Sequence, residues 1–244
     1  MHAGPQQKWK DCRTCLEDCR IQDRLDDAHF FHVPMRRAPL PPDCDSVRYV
    51  LVAQEPATGV GRTRAVREAK FSEGWTNFFS TAGDFTLQFA VENYLLERGE
   101  GYYLTNLGKC ALPTQTGDGR RPADETRARR YANCASYLAA EIAHFRGLRA
   151  IIAVGPLTRI YLDGFARPGW PMIHDVAHHA PRVLRTSPTG VPALLRSLRS
   201  FAAVRREDVG SPPQHLPTFT SKHAALARRY EEQLGDIQRH IRRG

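Results

Sequence analysis

The sequence lacks the long apolar run that a membrane-spanning helix requires, because nowhere do apolar residues approach the ~20 consecutive positions that cross a bilayer. The first residues, MHAGPQQKWKDC, also lack the apolar core of a secretory signal. We therefore expect a cytoplasmic protein with no membrane partner. The Gly-rich patterns of phosphate-binding loops, GxGxxG and the P-loop, are missing as well, so we expect no nucleotide cofactor.

Acidic residues are too few to balance the basic ones. Asp and Glu number 26 against 35 Lys and Arg, which gives a net charge of +9 over 244 residues. A hydrophobic content of 41% with 25% charged residues is typical of a globular protein and excludes disorder over most of the chain. The basic excess favours a polyanionic partner such as nucleic acid, although charge governs association and not the fold.

Cysteines are scarce, and half of them are grouped near the N-terminus. The six are Cys12, Cys15, Cys19, Cys44, Cys110 and Cys134. In a reducing compartment, grouped cysteines indicate a metal site more often than disulfides. By spacing alone, the Cys12-x-x-Cys15 pair together with Cys110 and Cys134 would hold zinc or an iron–sulfur cluster, or all four would be free thiols that pack in the core.

Short apolar runs alternate with segments of helical spacing. Strands are predicted at Val47–Ala53, Tyr102–Asn106, Ala150–Val154 and Arg182–Thr186, and helices at 77–98, 124–145, 192–204 and 222–243, with a short one after Gly155-Pro156. This alternation predicts a three-layer α/β/α sandwich around a four-stranded parallel sheet. Ligands bind beyond the carboxyl ends of such strands, so the loops that begin at Gln54, Asn106, Gly155 and Ser187 are the candidates for a site.

The chain divides by composition into three parts. Residues 1–204 form the predicted domain, including an N-terminal cysteine segment. Residues 205–221 are rich in proline and predict a linker, and residues 222–244 predict a basic C-terminal helix.

The segment from Tyr102 to Pro113, YYLTNLGKCALP, followed by Arg121-Pro122 and by Cys134-x-x-Tyr-Leu, resembles the iron–sulfur (type-4) uracil-DNA glycosylases. That family has a tyrosine-bearing strand, Thr-Asn, Lys-Cys, a proline-containing loop and a last cysteine on the next helix. The likeness extends from about Cys12 to Val204. It implies a uracil-DNA-glycosylase-like sandwich and a four-iron, four-sulfur cluster on Cys12, Cys15, Cys110 and Cys134. Cys19 and Cys44 would be structural, with Cys19 an alternative to Cys15.

The resemblance also implies roles at the strand ends. A DNA glycosylase extrudes its base, grips it and stabilises its departure. Gln54-Glu55-Pro56 resembles the family's first motif. By that resemblance, Glu55 would activate water or stabilise the cationic sugar, and Gln54 would contact the base. Phe71 resembles the aromatic residue that stacks on the base, and the Asn106 amide would read the pyrimidine edge. The alternatives are a solvated glutamate, a core phenylalanine and a turn asparagine.

The last motif departs from the family, which usually ends its fourth strand with His-Pro-Ser. Here the run is Ser-Pro-Thr, and Ser187 occupies the histidine position. A hydroxyl is a weaker donor to a leaving base and carries no positive charge. Either Ser187 suffices, or Arg185, His178 or His179 compensates, or activity on ordinary uracil is lost. Ala57 stands where the uracil-specific branch has a tyrosine that blocks C5 substituents, although the type-4 branch also has a small residue there. Only together with the altered last motif does Ala57 favour a bulkier base.

Several arginines are predicted near the mouth of this site, where phosphates would bind: Arg62, Arg120, Arg121, Arg127, Arg130 and Arg185. The resemblance implies a monomeric DNA glycosylase that leaves an abasic site. The favoured substrate is a bulky C5-modified cytosine, hydroxymethylated or glucosylated as in phage DNA, with a role in antiviral defence. The alternatives are a uracil-DNA glycosylase of base excision repair, a non-catalytic DNA-binding member of the superfamily and a structural zinc protein.

Overall fold

The computed structural model describes residues 33–34, 44–55, 81–111, 124–178, 189–208 and 216–243. The strands in these ranges are β1 (Val33–Pro34), β2 (Val47–Ala53), β3 (Gly101–Asn106), β4 (Cys110–Ala111), β5 (Ala150–Val154) and β6 (Ile173–Val176). The helices are α1 (Ala82–Tyr94), α2 (Asp124–His144), α3 (Pro156–Phe165), α4 (Val191–Asp208) and α5 (Ser221–Ile241).

The central sheet has four strands in the order β3-β2-β5-β6, and all of its pairings are parallel. Tyr49 of β2 lies opposite Tyr102 on one side and Ala150 on the other. The inner strands β2 and β5 are almost wholly buried. A strand reads as a continuous apolar run when helices cover both faces of its sheet, which is why VRYVLVA and AIIAV predict these strands.

Alternate residues of the strands enter two separate cores, as the two-residue period of a strand requires. Leu51 and Ile152 pack with α1 and α5 on one face, whereas Val50 and Ile151 pack with α2 and α3 on the other. The protein therefore has the predicted three-layer α/β architecture with a four-stranded parallel sheet.

The C-terminal helix α5 belongs to the core of the sheet. Leu226, Tyr230 and Leu234 are buried against β2, β5 and α1. The Tyr230 hydroxyl donates a hydrogen bond to the Ala177 carbonyl (3.0 Å), and the Gln233 side chain accepts one from the Ala177 amide (2.9 Å). Helix α5 thus completes one layer and fixes the start of the loop after β6.

The fourth strand of the sheet is β6, which the sequence analysis missed. Its sequence, IHDV, carries two polar residues and its burial is incomplete, as expected at the edge of a sheet. The strand predicted at Arg182–Thr186 lies outside the described residues. In the part of the chain that is described, no helix has the length and apolar character needed to cross a bilayer.

Candidate active site

The loops after β2 and β3 meet at the carboxyl edge of the sheet. Ala53 lies opposite Asn106 in the parallel register. The ladder continues beyond the strands, because the Leu107 amide donates to the Ala53 carbonyl (2.8 Å) and the Gly108 amide donates to the Gln54 carbonyl (2.9 Å). The structure therefore brings the main chain at Gln54 and Glu55 beside the main chain that follows Asn106, at one edge of the sheet, although the segments are about fifty positions apart in the chain.

Gly108 permits this close approach. A Cβ atom at position 108 would lie 3.3 Å from Cε1 of Tyr131 and 3.7 Å from Cβ of Glu55. The first distance is tighter than ordinary van der Waals contact, so a larger residue would push the loop away from α2. The glycine lets the chain after β3 pass between Glu55 and α2.

Two arginines of α2 hold the Glu55 carboxylate. Nη1 of Arg130 donates to Oε2 at 2.9 Å, and Nε of Arg127 lies 3.9 Å from Oε1. The Arg130 side chain is 1% exposed and that of Glu55 is 21% exposed. Glu55 is therefore a partly buried, ion-paired carboxylate with one edge open to solvent. Arg130 is too deeply buried to bind DNA phosphates, so that interpretation of Arg130 was wrong.

Tyr131 lies beside this ion pair and is fully buried. Its ring packs edge to face on Tyr161, with centroids 4.9 Å apart. Its hydroxyl has no hydrogen-bond partner among the described residues. Burial, and secondly the charge of Glu55, raise the pKa of Tyr131, so the hydroxyl stays protonated and is a donor at the site.

The Asn106 side chain is 1% exposed, and its Oδ1 has no hydrogen-bond partner in the described part of the chain. A buried acceptor without a partner costs about 1–3 kcal/mol. A ligand N–H group or a bound water that donates to Oδ1 would recover that free energy. The Asn106 main chain, by contrast, is firmly held, because its carbonyl accepts from Lys109 Nζ at 2.7 Å.

A buried ion pair anchors this loop. Nζ of Lys109 donates to Oε2 of Glu141 (2.6 Å) and to Oγ1 of Thr105 (2.8 Å), in addition to the Asn106 carbonyl. The same carboxylate accepts from the hydroxyls of Thr105 (2.8 Å) and Tyr103 (3.3 Å). The Lys109 and Glu141 side chains are 3% and 0% exposed. All three ammonium donors are used, which is the condition under which a buried charge pair is tolerated.

Glu141 was not among the predicted site residues. Its signal in the sequence was a carboxylate on the apolar face of α2, one helical turn from the buried Leu138 and next to the buried Ile142. A charge at such a position needs a buried partner of opposite sign. Lys109 appeared in that analysis only as part of the Lys-Cys pair.

Two of the predicted cluster ligands lie on neighbouring segments. Sγ of Cys134 on α2 is buried and accepts a hydrogen bond from the Lys109 amide at 3.5 Å. Cys110 is the next residue, and β4 pairs antiparallel with β1, with Pro34 opposite Cys110. This pairing joins the N-terminal part of the chain to the Cys110 segment.

Of the four predicted cluster ligands, the structure describes the side chain of Cys134 alone. Amide hydrogen bonds to cysteine sulfur are a feature of such sites, and the Cys134 contact is one. Cys12 and Cys15 lie outside the described residues. Within the described ranges, no three His, Cys, Asp or Glu side chains are arranged to hold a metal ion. Cys44 packs against the core of β2 and α2, in keeping with a structural role.

His178 lies at the same edge of the sheet. Strand β6 ends at Val176, so the loop that follows begins with Ala177 and His178. The Gly155 amide donates to the Val176 carbonyl (2.8 Å), and a Cβ atom at Gly155, where φ is +99°, would lie 3.2 Å from the His178 side chain. The sequence analysis placed Ser187 directly after the fourth strand, whereas Ala177 and His178 follow the fourth strand of this sheet.

The other predicted site residues lie outside the described ranges: Ala57, Phe71, Ser187, Arg62, Arg120, Arg121 and Arg185. A cavity of about 440 Å³ lies at the opposite edge of the sheet, beside Gly101 and Tyr102, where Glu92, Glu97 and Arg205 line it. It is therefore separate from the site formed by Glu55 and Asn106.

No protein-family model and no curated protein matches the chain. The geometry of the site itself is therefore the basis for assigning a function.

Proposed function

We propose that the protein is a DNA glycosylase that hydrolyses the N-glycosidic bond of a modified pyrimidine and leaves an abasic site. The observation that supports this proposal is the buried Oδ1 of Asn106, which has no hydrogen-bond partner among the described residues and lies at the end of the strand that pairs with the one leading to Glu55. A base edge offers the missing donor, because Oδ1 can accept from the N4 amino group of cytosine or from N3–H of uracil. The net charge of +9 suits a DNA partner.

The chemistry requires a carboxylate beside the sugar. Water adds to C1′ while the C1′–N1 bond breaks, and the electron pair of that bond leaves with the base. Glu55 takes the proton of the attacking water, and a second proton is delivered to the departing base. The less tightly held Oε1 of Glu55, on a side chain that is 21% exposed, is the atom suited to the water.

His178 is the better candidate for assisting the departing base. An imidazole N–H is a stronger donor than the Ser187 hydroxyl, and His178 follows the strand next to β5 at the edge that carries Glu55 and Asn106. With His178 in this role, the serine at position 187 no longer predicts a loss of activity on ordinary bases. The preference for a bulky C5-modified cytosine then rests on Ala57 alone.

Cys110 and Cys134, with Cys12 and Cys15, would hold a four-iron, four-sulfur cluster. The cluster would cross-link the N-terminal segment to the loop after β3. Because the Lys109 amide contacts Cys134 and the Lys109 side chain contacts Asn106, this cross-link would also brace the base-reading loop.

One observation favours a second function, a DNA-binding protein without turnover. Both guanidinium groups near Glu55 offset its negative charge, which weakens any direct stabilisation of a cationic sugar. Such a protein would keep the base pocket of Asn106 but would release no base.

Mass spectrometry of released bases tests the proposal. Purified protein is incubated with uracil-containing DNA and with phage DNA that carries hydroxymethylated or glucosylated cytosine. We expect a free modified base, an equal amount of abasic sites, and loss of both with Glu55→Gln. DNA binding without release of any base would support the second function. Release from uracil DNA alone would assign the protein to repair.

A further inference from the structure

Arg130 is a costly residue in its position. It is among the largest fully buried side chains of the described protein, and a buried guanidinium must be paired to be tolerated. Its partner is Glu55, which lies 75 positions away in the chain and belongs to a loop at the edge of the sheet. The buried guanidinium of Arg130 therefore ties Glu55, which is a loop residue, to the rigid helix α2.

We propose that Arg130 is a positioning residue that orients the Glu55 carboxylate for the attacking water. This inference rests on the proposed glycosylase function. By donating to Oε2 at 2.9 Å, Arg130 restrains the Glu55 carboxylate and leaves Oε1 with no contact closer than the 3.9 Å to Arg127 Nε among the described ion pairs of this site. Groups that react must be held to within a fraction of an ångström, and a misplacement of 1 Å costs about 100-fold in rate.

The ion pair also separates the two roles that Glu55 can have. A carboxylate that stabilises a cationic sugar works best without a neighbouring cation, whereas a carboxylate that accepts a proton from water needs orientation above all. The positive charge of Arg130 opposes the first role, whereas its hydrogen bond to Oε2 supplies the orientation that the second role needs. Arg127 contributes less, because its Nε lies 3.9 Å from Oε1 and its side chain is partly exposed.

The test is single-turnover base release by Arg130→Gln, with the affinity for the same DNA measured separately. We expect the rate constant to fall about 100-fold while the Kd for DNA changes less than about twofold. Arg149→Gln is the control for the loss of an arginine–glutamate pair away from the site, because Arg149, whose side chain is 40% exposed, pairs with Glu100 at 2.6 Å at the amino-terminal edge of the sheet. The control variant should keep the wild-type rate.

Arg130→Lys guards against a variant that fails to fold. It keeps the buried charge but lacks the planar fork, so an intermediate loss of rate is expected, with urea unfolding showing an intact domain. A wild-type rate in either folded variant would overturn the positioning role. So would a loss of rate that only follows a loss of DNA affinity, since Arg130 would then support binding and not the chemical step. A wild-type protein that releases no base would instead refute the proposed function.

Discussion

Replacing Lys109 with methionine is expected to destabilise the protein severely. The substitution keeps the side chain's length and removes its charge, which leaves the Glu141 carboxylate buried without its ammonium partner. Breaking a buried ion pair by removing one member costs about 3–5 kcal/mol. For a chain of this length that corresponds to a fall in Tm of about 10 °C. Urea unfolding followed by circular dichroism measures the free energy directly.

Two further variants give this prediction its controls. Lys109→Met combined with Glu141→Leu removes both charges and should recover at least about half of the lost stability, since an apolar pair of similar volume often replaces a buried ion pair. Arg228→Gln breaks an exposed pair with Glu231 on α5 and should cost no more than about 0.5 kcal/mol. A loss below about 1 kcal/mol for Lys109→Met would refute the reasoning that this ion pair anchors the loop.

Three other outcomes follow from the same structure. Burial and the neighbouring His240 lower the pKa of His174, so the neutral form stabilises the fold above pH about 6.5 and that stability is lost as the pH falls. His174→Gln should therefore reduce the change in the free energy of urea unfolding between pH about 7 and about 5, and an unchanged pH dependence would contradict this. Tyr131→Phe removes a hydroxyl that has no partner among the described residues, so the free energy of unfolding in urea should stay the same or rise. A decrease of more than about 1 kcal/mol would show a hidden partner. On the proposed cluster, Cys134→Ser should abolish bound iron and the visible absorbance of the purified protein, whereas Cys44→Ser should keep both. Equal iron in the two variants would remove Cys134 from the proposed ligand set.

The inner strands of the sheet were predictable because they are buried on both faces. VRYVLVA and AIIAV contain only apolar residues apart from Arg48, and both proved to be strands at the predicted bounds. The edge strand β6 was not predictable in this way, since half of IHDV is polar and only Val176 is fully buried. Helix α5 was predicted as a basic helix, but its packing on the sheet was not predicted. Its buried residues contact strands that are distant in the sequence.

The placement of Glu55 and Asn106 at one edge of the sheet followed from one rule, that parallel strands end at the same edge. Their supporting contacts did not follow from any local pattern. Arg130 reaches Glu55 across 75 positions, and Lys109 reaches Glu141 across 32. Such pairs depend on how α2 lies on the sheet, which hydrophobic spacing alone does not specify.

A crystal structure of the Glu55→Gln variant with a duplex that carries 5-hydroxymethylcytosine tests the central claim most directly. The account predicts an extruded base whose N4 amino group lies within about 3.2 Å of Oδ1 of Asn106, with C1′ of its sugar facing residue 55. A base that remains stacked in the duplex, or that is bound away from Asn106, would contradict it.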